Sequence, residues 1–271
     1  MADPAALPPG AWGLRPLLLG PGGPAIPSYE VFVALGIVAG LVTLRRLSPR
    51  RDAGDAGAVW IAAAALVGGA LGAKLLELAL LPASTVARAG WLAALLSGRT
   101  VIGGFIGGSV AVVLVKRRLG IRERRGNEIA PAVAIGLAIG RIGCLCAGCC
   151  HGTPTSLPWG VDFGDGIPRH PTQLYESIFG LAAFGLLLAA RRRAPTPGRL
   201  FTAFAASYLL YRFAEEFVRA GERLAVGLTP YQVAAAAGLA WFAAKDRLLG
   251  AEPGSPAGPP PATPPPPAGT P

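Results

Sequence analysis

The chain has 271 residues, of which 52% are hydrophobic and 15% are charged, and its formal net charge is +10 at pH 7. A soluble globular domain carries about 25% charged residues, so this composition excludes an ordinary soluble protein. The basic residues lie between apolar segments and do not alternate with aromatic residues, so the positive charge does not indicate nucleic-acid binding. We expect a membrane protein whose basic loops set its orientation.

The two ends of the chain differ from its middle. Residues 1–27 are rich in Pro, Gly and Leu, and Pro8, Pro9 and Pro16 interrupt the apolar run that a signal peptide requires. We therefore predict a retained, extended or interfacial leader over residues 1–27. Residues 249–271 consist mainly of Pro, Gly and Ala and predict a disordered tail. Residues 28–248 remain as a single transmembrane domain.

Seven apolar segments lie between these ends, each close to the ~20 residues that a helix needs to cross a bilayer. They are residues 28–45, 57–81, 100–116, 128–148, 172–190, 199–218 and 230–246. A shorter apolar piece, residues 90–97, is expected to be re-entrant or interfacial. Glycine pairs in the second and third segments recur at a spacing that allows close helix packing in lipid. The sequence thus predicts an all-α, polytopic membrane helix bundle with about seven transmembrane helices.

Basic residues follow the first, third, fifth and seventh segments. They are Arg45, Arg46, Arg50, Arg51, Lys116, Arg117, Arg118, Arg122, Arg124, Arg125, Arg191, Arg192, Arg193, Arg199, Lys245 and Arg247. With seven spans, all of these residues fall on one side of the membrane. The positive-inside rule makes that side cytoplasmic, which places the N-terminus outside and the C-terminus inside.

Polar side chains, which are costly inside a bilayer, gather at the predicted outer ends of the segments. They are Tyr29, Lys74, Glu77, Arg141, His170, Gln173, Tyr175, Glu176, Arg212, Glu215, Glu216 and Arg219. Internal ion pairs that hold the bundle together are one explanation, and a shared polar cavity is the other. Arginine binds phosphate oxygens through a planar fork, and a nearby His or Glu can act as a base. The pattern indicates an enzyme or carrier that acts on an anionic lipid.

Residues Gly140 to Gly152 read GRIGCLCAGCCHG and contain all four cysteines of the chain. A disulfide framework distributes its cysteines more widely than this. Three interpretations stay open: a metal site formed by Cys149, Cys150 and His151, oxidation of the neighbouring pair Cys149 and Cys150, and simple helix packing by small thiols. Packing is favoured for Cys144 and Cys146.

Several motifs together resemble those of the bacterial phosphatidylglycerol–prolipoprotein diacylglyceryl transferases. GRIGCLCAGCCHG has the Gly-Arg-x-Gly start and the final Gly of the family signature, and HPTQLYE, residues 170–176, resembles a second motif. YRFAEEFVR, residues 211–219, and VIGGFIGG, residues 101–108, are similar to two others. Tyr29 opens the first core helix, where the family also has a tyrosine. The resemblance covers about residues 28–248.

The resemblance implies a multi-pass protein of the bacterial cytoplasmic (inner) membrane that needs no cofactor. It implies transfer of the diacylglyceryl group of phosphatidylglycerol to the lipobox cysteine thiol in a preprolipoprotein signal peptide. A thioether forms and glycerol phosphate leaves. Arg141 and Arg212 would hold the phosphate. The other implied substrate-binding residues are Gly143, Gly152, Gln173 and Tyr175, and the implied catalytic residues include Tyr29 and Glu215.

The sequence departs from the family pattern at two places. Ile102 stands where the family has a histidine just before the paired glycines, and Cys144, Ala147 and Cys149 replace the asparagines and the glutamate of the signature. Isoleucine cannot accept a proton. The alternative function is therefore a relative without transferase activity that binds anionic lipid or uses the Cys/His cluster for thiol or metal chemistry.

The loss of the motif histidine leaves two histidines as replacements. His170 precedes Pro171 at a predicted helix start, so we expect it to cap the fifth segment and to hold the loop. His151 has no evident structural task and lies ten residues after Arg141. We therefore predict that His151 acts as the catalytic base, with His170 and Glu215 as the other candidates.

Overall fold

The computed structural model describes residues 26–48, 56–81, 84, 86–87, 90–97, 100–120, 125–193, 196–219, 223–224 and 226–248. The predicted leader, apart from its last two residues, and the predicted tail lie outside the described residues. The described chain is mostly helical, as the composition and the apolar segments predict.

Each of the seven apolar segments forms one helix, and the observed bounds lie within three residues of the predicted ones. The helices are α1 (Ser28–Leu47), α2 (Ala56–Leu80), α3 (Trp91–Ser97), α4 (Val101–Leu119), α5 (Gly126–Cys146), α6 (Thr172–Arg191), α7 (Arg199–Glu215) and α8 (Pro230–Leu248). A 3₁₀ turn (Glu216–Val218) extends α7. The short antiparallel strands β1 (Val161–Asp162) and β2 (Pro168–Arg169) lie in the loop between α5 and α6.

Three helices in the described part of the chain are long and apolar enough to cross a membrane: Val59–Leu80, Gly126–Cys146 and Thr172–Arg191. Large apolar side chains stay exposed on the outer helix surfaces, for example Leu41 on α1 and Leu186 on α6. Lipid tails are as apolar as leucine, so a bilayer accommodates such a surface and water does not. These features are those of a helical membrane protein.

Glycine allows neighbouring helices to approach within backbone contact. A Cβ atom added to Gly107 of α4 would lie 2.5 Å from the carbonyl oxygen of Gly68 on α2. A Cβ atom added to Gly36 of α1 would lie 2.7 Å from the carbonyl oxygen of Gly136 on α5. No side chain fits at these distances, so the close packing that the glycine spacing predicts is confirmed.

The two ends of the bundle differ in chemistry. At one end, Arg191 of α6 donates a hydrogen bond to the carbonyl oxygen of Leu47 and lies 3.6 Å from Glu128 Oε1 of α5. The basic last turns of α1 and α6 therefore lie together at this end. At the other end, the start of α6 meets the ends of α5 and α7, and the polar site lies there.

Candidate active site

A buried ion pair links α5 to α6 at this polar end. Arg141 Nε lies 2.8 Å from Glu176 Oε2, and the two side chains are 10% and 0% exposed. The Tyr208 hydroxyl of α7 donates a hydrogen bond to Glu176 Oε1 at 2.5 Å. A buried carboxylate costs several kcal/mol unless it is paired and hydrogen-bonded, and Glu176 has both kinds of partner. The Glu176 carboxylate therefore connects α5, α6 and α7 at the same level of the bundle.

Arg212 is the centre of a second buried group at the end of α7. Its Nη1 atom lies 2.5 Å from Glu216 Oε2 and 3.4 Å from Glu215 Oε2. The Tyr211 hydroxyl donates to Glu215 Oε1 at 2.8 Å, and Arg219 Nε lies 3.8 Å from Glu216 Oε2. Residues three and four apart share a helix face, which explains why these charges meet.

The two groups are connected to each other and to α2 and α8. Arg212 interacts electrostatically with Glu176, and Glu77 of α2 interacts with both Arg212 and Arg219. The Tyr231 hydroxyl of α8 donates to Glu77 Oε1 at 3.0 Å. Arginines and carboxylates from four helices therefore meet at one end of the bundle, in agreement with the convergence that the sequence predicts.

A turn directly after α5 brings three thiols together. The Sγ atoms of Cys144, Cys149 and Cys150 all lie within 4.8 Å of one another, and none of the four cysteines is in a disulfide. The possible ligand set named from the sequence contained His151, and the structure places Cys144 in the group in its stead. The packing role predicted for Cys144 is thus incomplete, because its thiol also faces the other two.

The first turn of α6 holds the cysteine turn in place. The Gln173 side-chain amide donates to the carbonyl oxygen of Cys149 at 2.5 Å, and the Thr172 hydroxyl donates to the carbonyl oxygen of Cys150 at 2.7 Å. Gln173 and Thr172 are fully buried. The HPTQLYE motif therefore supports the backbone of the signature motif.

Cys150 has an unusual backbone and an acidic thiol. Its φ angle is 65°, and among the described residues it is the only non-glycine residue with a positive φ. Hydrogen bonds with the thiols of Cys144 and Cys149, followed by the charges of Arg141 and Arg219, lower the pKa of Cys150 well below its usual value. The turn therefore favours the thiolate form of an exposed cysteine more than an ordinary environment does.

Both histidines make contacts within the loop that follows α5. The His151 ring stacks on Phe163 with centroids 5.0 Å apart, and its Nδ1 atom lies 3.3 Å from the carbonyl oxygen of Gly152. His170 Nδ1 lies 3.2 Å from the Tyr175 hydroxyl, and the His170 carbonyl oxygen accepts a hydrogen bond from the Gly152 amide at 2.8 Å. His170 thus holds the loop, as expected. The expectation that it caps the helix is wrong, because the N-cap of α6 is Pro171 and no side chain donates or accepts a capping hydrogen bond there. His151 also has a structural contact, which the sequence did not indicate.

The glycines of the signature bring the neighbouring elements close to the site. A Cβ atom added to Gly143 would lie 3.3 Å from the Cα atom of Tyr29, so α1 delivers Tyr29 next to α5. A Cβ atom added to Gly152 would lie 2.7 Å from His170 Cβ and 2.5 Å from the carbonyl oxygen of Val218. Gly152 therefore allows the loop to pack between α6 and the end of α7.

Ile102 lies in the apolar core and offers no group for proton transfer. Its side chain is 1% exposed and belongs to the same buried cluster as Phe105 and Tyr208. Tyr208 and Tyr211 are further site residues that were not predicted from the sequence, and both donate hydrogen bonds to site carboxylates. Tyr208 precedes Arg212 by four residues. That spacing places both side chains on one helix face and could have identified Tyr208 as a site residue.

Comparison with known proteins identifies one family. The family model for prolipoprotein diacylglyceryl transferase matches residues 16–245. A phosphatidylglycerol–prolipoprotein diacylglyceryl transferase of Clostridium tetani is 34% identical over 217 residues, 78% of this chain and 87% of that protein. The proteins of that name from Geobacter sulfurreducens and Bordetella parapertussis are 41% and 38% identical over 126 and 160 residues. These matches cover 45% and 52% of this chain and 48% and 61% of the relatives. The chain belongs to the prolipoprotein diacylglyceryl transferase family, which confirms the resemblance.

Proposed function

We propose that this protein transfers the diacylglyceryl group of phosphatidylglycerol to the lipobox cysteine thiol of a preprolipoprotein. The donor and the acceptor are those in the names of its relatives. The observation that carries the proposal is the meeting of two buried arginines, Arg141 and Arg212, at one end of an apolar helix bundle. A cationic site at the edge of a membrane suits a lipid whose headgroup carries a phosphate.

Arg141 and Arg212 are assigned to the phosphate oxygens of the donor. Arg141 meets Glu176 through Nε, whereas both ion pairs of Arg212 use Nη1. A guanidinium has five N–H donors, so one edge can be held by carboxylates while the other edge binds phosphate. Glu176 and Glu215 then act as positioning residues that orient the two forks before the lipid enters.

Gln173 is assigned to the glycerol headgroup of the donor. Its Oε1 atom is buried and has no hydrogen-bond partner in the described part of the chain. A buried acceptor without a donor costs about 1–3 kcal/mol, which a hydroxyl of the headgroup would recover. Tyr175 and Tyr29 lie at the same end and are assigned to the walls of the site, with Gly143 and Gly152 allowing the close packing.

The proposed orientation has α1, α2, α4, α5, α6, α7 and α8 as seven spans, with the N-terminus outside and the C-terminus inside the cytoplasmic membrane. Basic residues at the ends of α1, α4 and α6 support it, because they lie at the helix ends opposite the site. The site then opens toward the outer leaflet, where a preprolipoprotein signal peptide would present its cysteine.

Two experiments test the proposed function. In the first, the gene is expressed in a bacterium whose own diacylglyceryl transferase is conditional, and growth is expected without the resident enzyme. In the second, purified protein is incubated with phosphatidylglycerol vesicles and a lipobox peptide, and mass spectrometry is expected to detect the thioether-linked peptide. If the folded protein supports no growth and forms no product, the proposal is wrong.

A matched pair of variants tests the role of the arginines in the same assay. Arg141→Ala with Arg212→Ala is expected to abolish transfer, whereas Arg192→Ala, an exposed arginine at the opposite end, is expected to leave it unchanged. Transfer at the wild-type rate by the double variant would remove the phosphate assignment.

A further inference from the structure

We propose that Cys144, Cys149 and Cys150 hold a zinc ion whose open fourth position binds the acceptor thiol as a thiolate. The inference rests on the proposed transferase function, since it names the group that activates the acceptor. Two observations motivate it: three thiols gather beside Arg141, and the motif position of the family histidine is a buried Ile102. A thiol with a pKa near 8.5 is only a few per cent thiolate at neutral pH, so transfer needs an activating group.

The spacing of the three sulfur atoms fits one metal ion. They lie within 4.8 Å of one another. Two sulfurs bound to a tetrahedral zinc at about 2.3 Å are about 3.8 Å apart, so movements of about 1 Å close the site. Cys149 and Cys150 follow α5 in a turn, where such movements are small adjustments.

The number of ligands favours a catalytic type of zinc site. Three protein ligands and one open position are typical of catalytic zinc, whereas structural zinc sites and iron–sulfur clusters use four protein ligands. The fourth cysteine, Cys146, is not part of the sulfur group. The open position is therefore available to a sulfur that comes from the substrate.

The surroundings of the thiols resemble the supports that orient metal ligands. Gln173 and Thr172 fix the backbone carbonyls of Cys149 and Cys150 from α6. The positive φ of Cys150 is a strained conformation for a side-chain-bearing residue, and such strain persists where the surrounding structure imposes it. Outer supports of this kind fix the direction of each ligand atom.

The charge around the group fits a metal with thiolate ligands. Zinc with three thiolates carries one excess negative charge, and a bound acceptor thiolate adds a second. Arg141 Nη1 lies 3.8 Å from Cys144 Sγ. Arg219 Nη1 donates to the Thr172 hydroxyl at 3.4 Å, and that hydroxyl in turn holds the Cys150 carbonyl. Both guanidiniums interact electrostatically with the thiol group at Cys150 and so balance this charge.

The reaction then needs no histidine at position 102. The acceptor thiol binds zinc as a thiolate, and its proton leaves to solvent on the exposed side of Cys150. The bound sulfur attacks the glyceryl carbon that carries the phosphate, a C–S bond forms, and the C–O bond to the phosphate breaks. Glycerol phosphate leaves with the bonding electron pair, stabilised by Arg141, and the thioether, a weaker ligand than the thiolate, leaves the metal.

Metal titration tests the site itself. Reduced, metal-free full-length protein in detergent is titrated with Zn²⁺ and with Co²⁺, and the expected result is one zinc per chain and sulfur-to-cobalt charge-transfer absorption. Cys149→Ser and Cys150→Ser are each expected to weaken zinc binding at least about 100-fold. Loss of an outer support weakens metal binding by about 10- to 100-fold, and loss of a direct ligand should have at least the larger effect. Cys146→Ser is the matched control and is expected to bind zinc like the wild type. Equal binding by Cys149→Ser and wild type, or a disulfide among the three thiols, would overturn the site.

A second set of measurements tests the role of the metal. A lipobox peptide added to the cobalt form is expected to shift the visible absorption bands, and the same peptide with serine in place of cysteine is not. Chelation is expected to abolish thioether formation, and zinc to restore it; transfer by protein verified as metal-free would overturn the proposal. If the zinc site is correct but the proposed transferase function is wrong, the result differs. Zinc and the peptide cysteine then bind, yet no glycerol phosphate is released from phosphatidylglycerol.

Discussion

Arg141 and Glu176 form a buried ion pair, 2.8 Å from Nε to Oε2, that connects the signature motif on α5 to the HPTQLYE motif on α6. The pair explains how two motifs separated by a loop act as one unit. The loop makes its own contacts, since Asp165 pairs with Arg169 at its surface. The buried pair and the exposed pair therefore offer a direct comparison within one chain.

The first prediction concerns this ion pair. Glu176→Gln leaves the buried charge of Arg141 without compensation, and we expect a loss of stability of about 3–5 kcal/mol and loss of transfer. Asp165→Asn breaks the exposed pair and should have little effect on stability, because water already screens the two charges. Thermal unfolding in detergent measures both. The double variant Arg141→Met with Glu176→Leu should recover stability but not transfer, and recovery of both would show that the pair is only structural.

The second prediction separates the charge of the arginines from their shape. Arg141→Lys or Arg212→Lys keeps a positive charge but loses the planar fork, so we expect a fall in transfer of about 10- to 100-fold, the equivalent of one charged hydrogen bond. Arg192→Lys, at the far end of α6, is the control. Steady-state transfer from phosphatidylglycerol vesicles measures the effect. Wild-type rates in both site variants would speak against bidentate phosphate binding.

The third prediction concerns His151, which the sequence proposes as the base. Because its ring stacks on Phe163, His151→Phe should keep the packing, and we expect transfer to fall less than about tenfold. Removal of a true general base lowers the rate by about 10²- to 10⁴-fold. Initial rates of His151→Phe against wild type decide between the two. A fall in the transfer rate within the larger range would show that His151 is the catalytic base.

The fourth prediction concerns the pH dependence of Cys150. Its lowered pKa means that the thiolate is already populated at a pH at which an ordinary thiol, with a pKa near 8.5, is protonated. In metal-free reduced protein, alkylation of Cys150 should therefore reach its plateau rate at a lower pH than alkylation of Cys146. Mass spectrometry of peptides labelled with iodoacetamide measures both sites at once. Identical pH profiles would contradict the thiolate assignment.

The helices and the position of the site could be predicted from the sequence because both depend on local patterns. The length of each apolar run predicts a helix, and the charged residues at the helix ends predict that Arg141 and Arg212 lie close together. The thiol group could not be predicted in its final form, because Cys144 lies on α5 and Cys149 lies in a turn that α6 holds. Which residues share such a turn depends on tertiary contacts. The stacking of His151 on Phe163 is a tertiary contact of the same kind.

The last prediction concerns the orientation in the membrane. The basic ends of α1, α4 and α6 predict that the segment after Arg193 is cytoplasmic, and the loop between β1 and β2 is then external. Alkaline phosphatase, which folds only outside the cytoplasm, should be active when inserted near Gly164 and inactive when fused after Arg193. A fluorescent protein that matures only in the cytoplasm should give the reverse pattern. The opposite result at either position would contradict the seven-span arrangement, and it would move the thiols to the cytoplasmic side, away from a signal peptide presented at the outer leaflet.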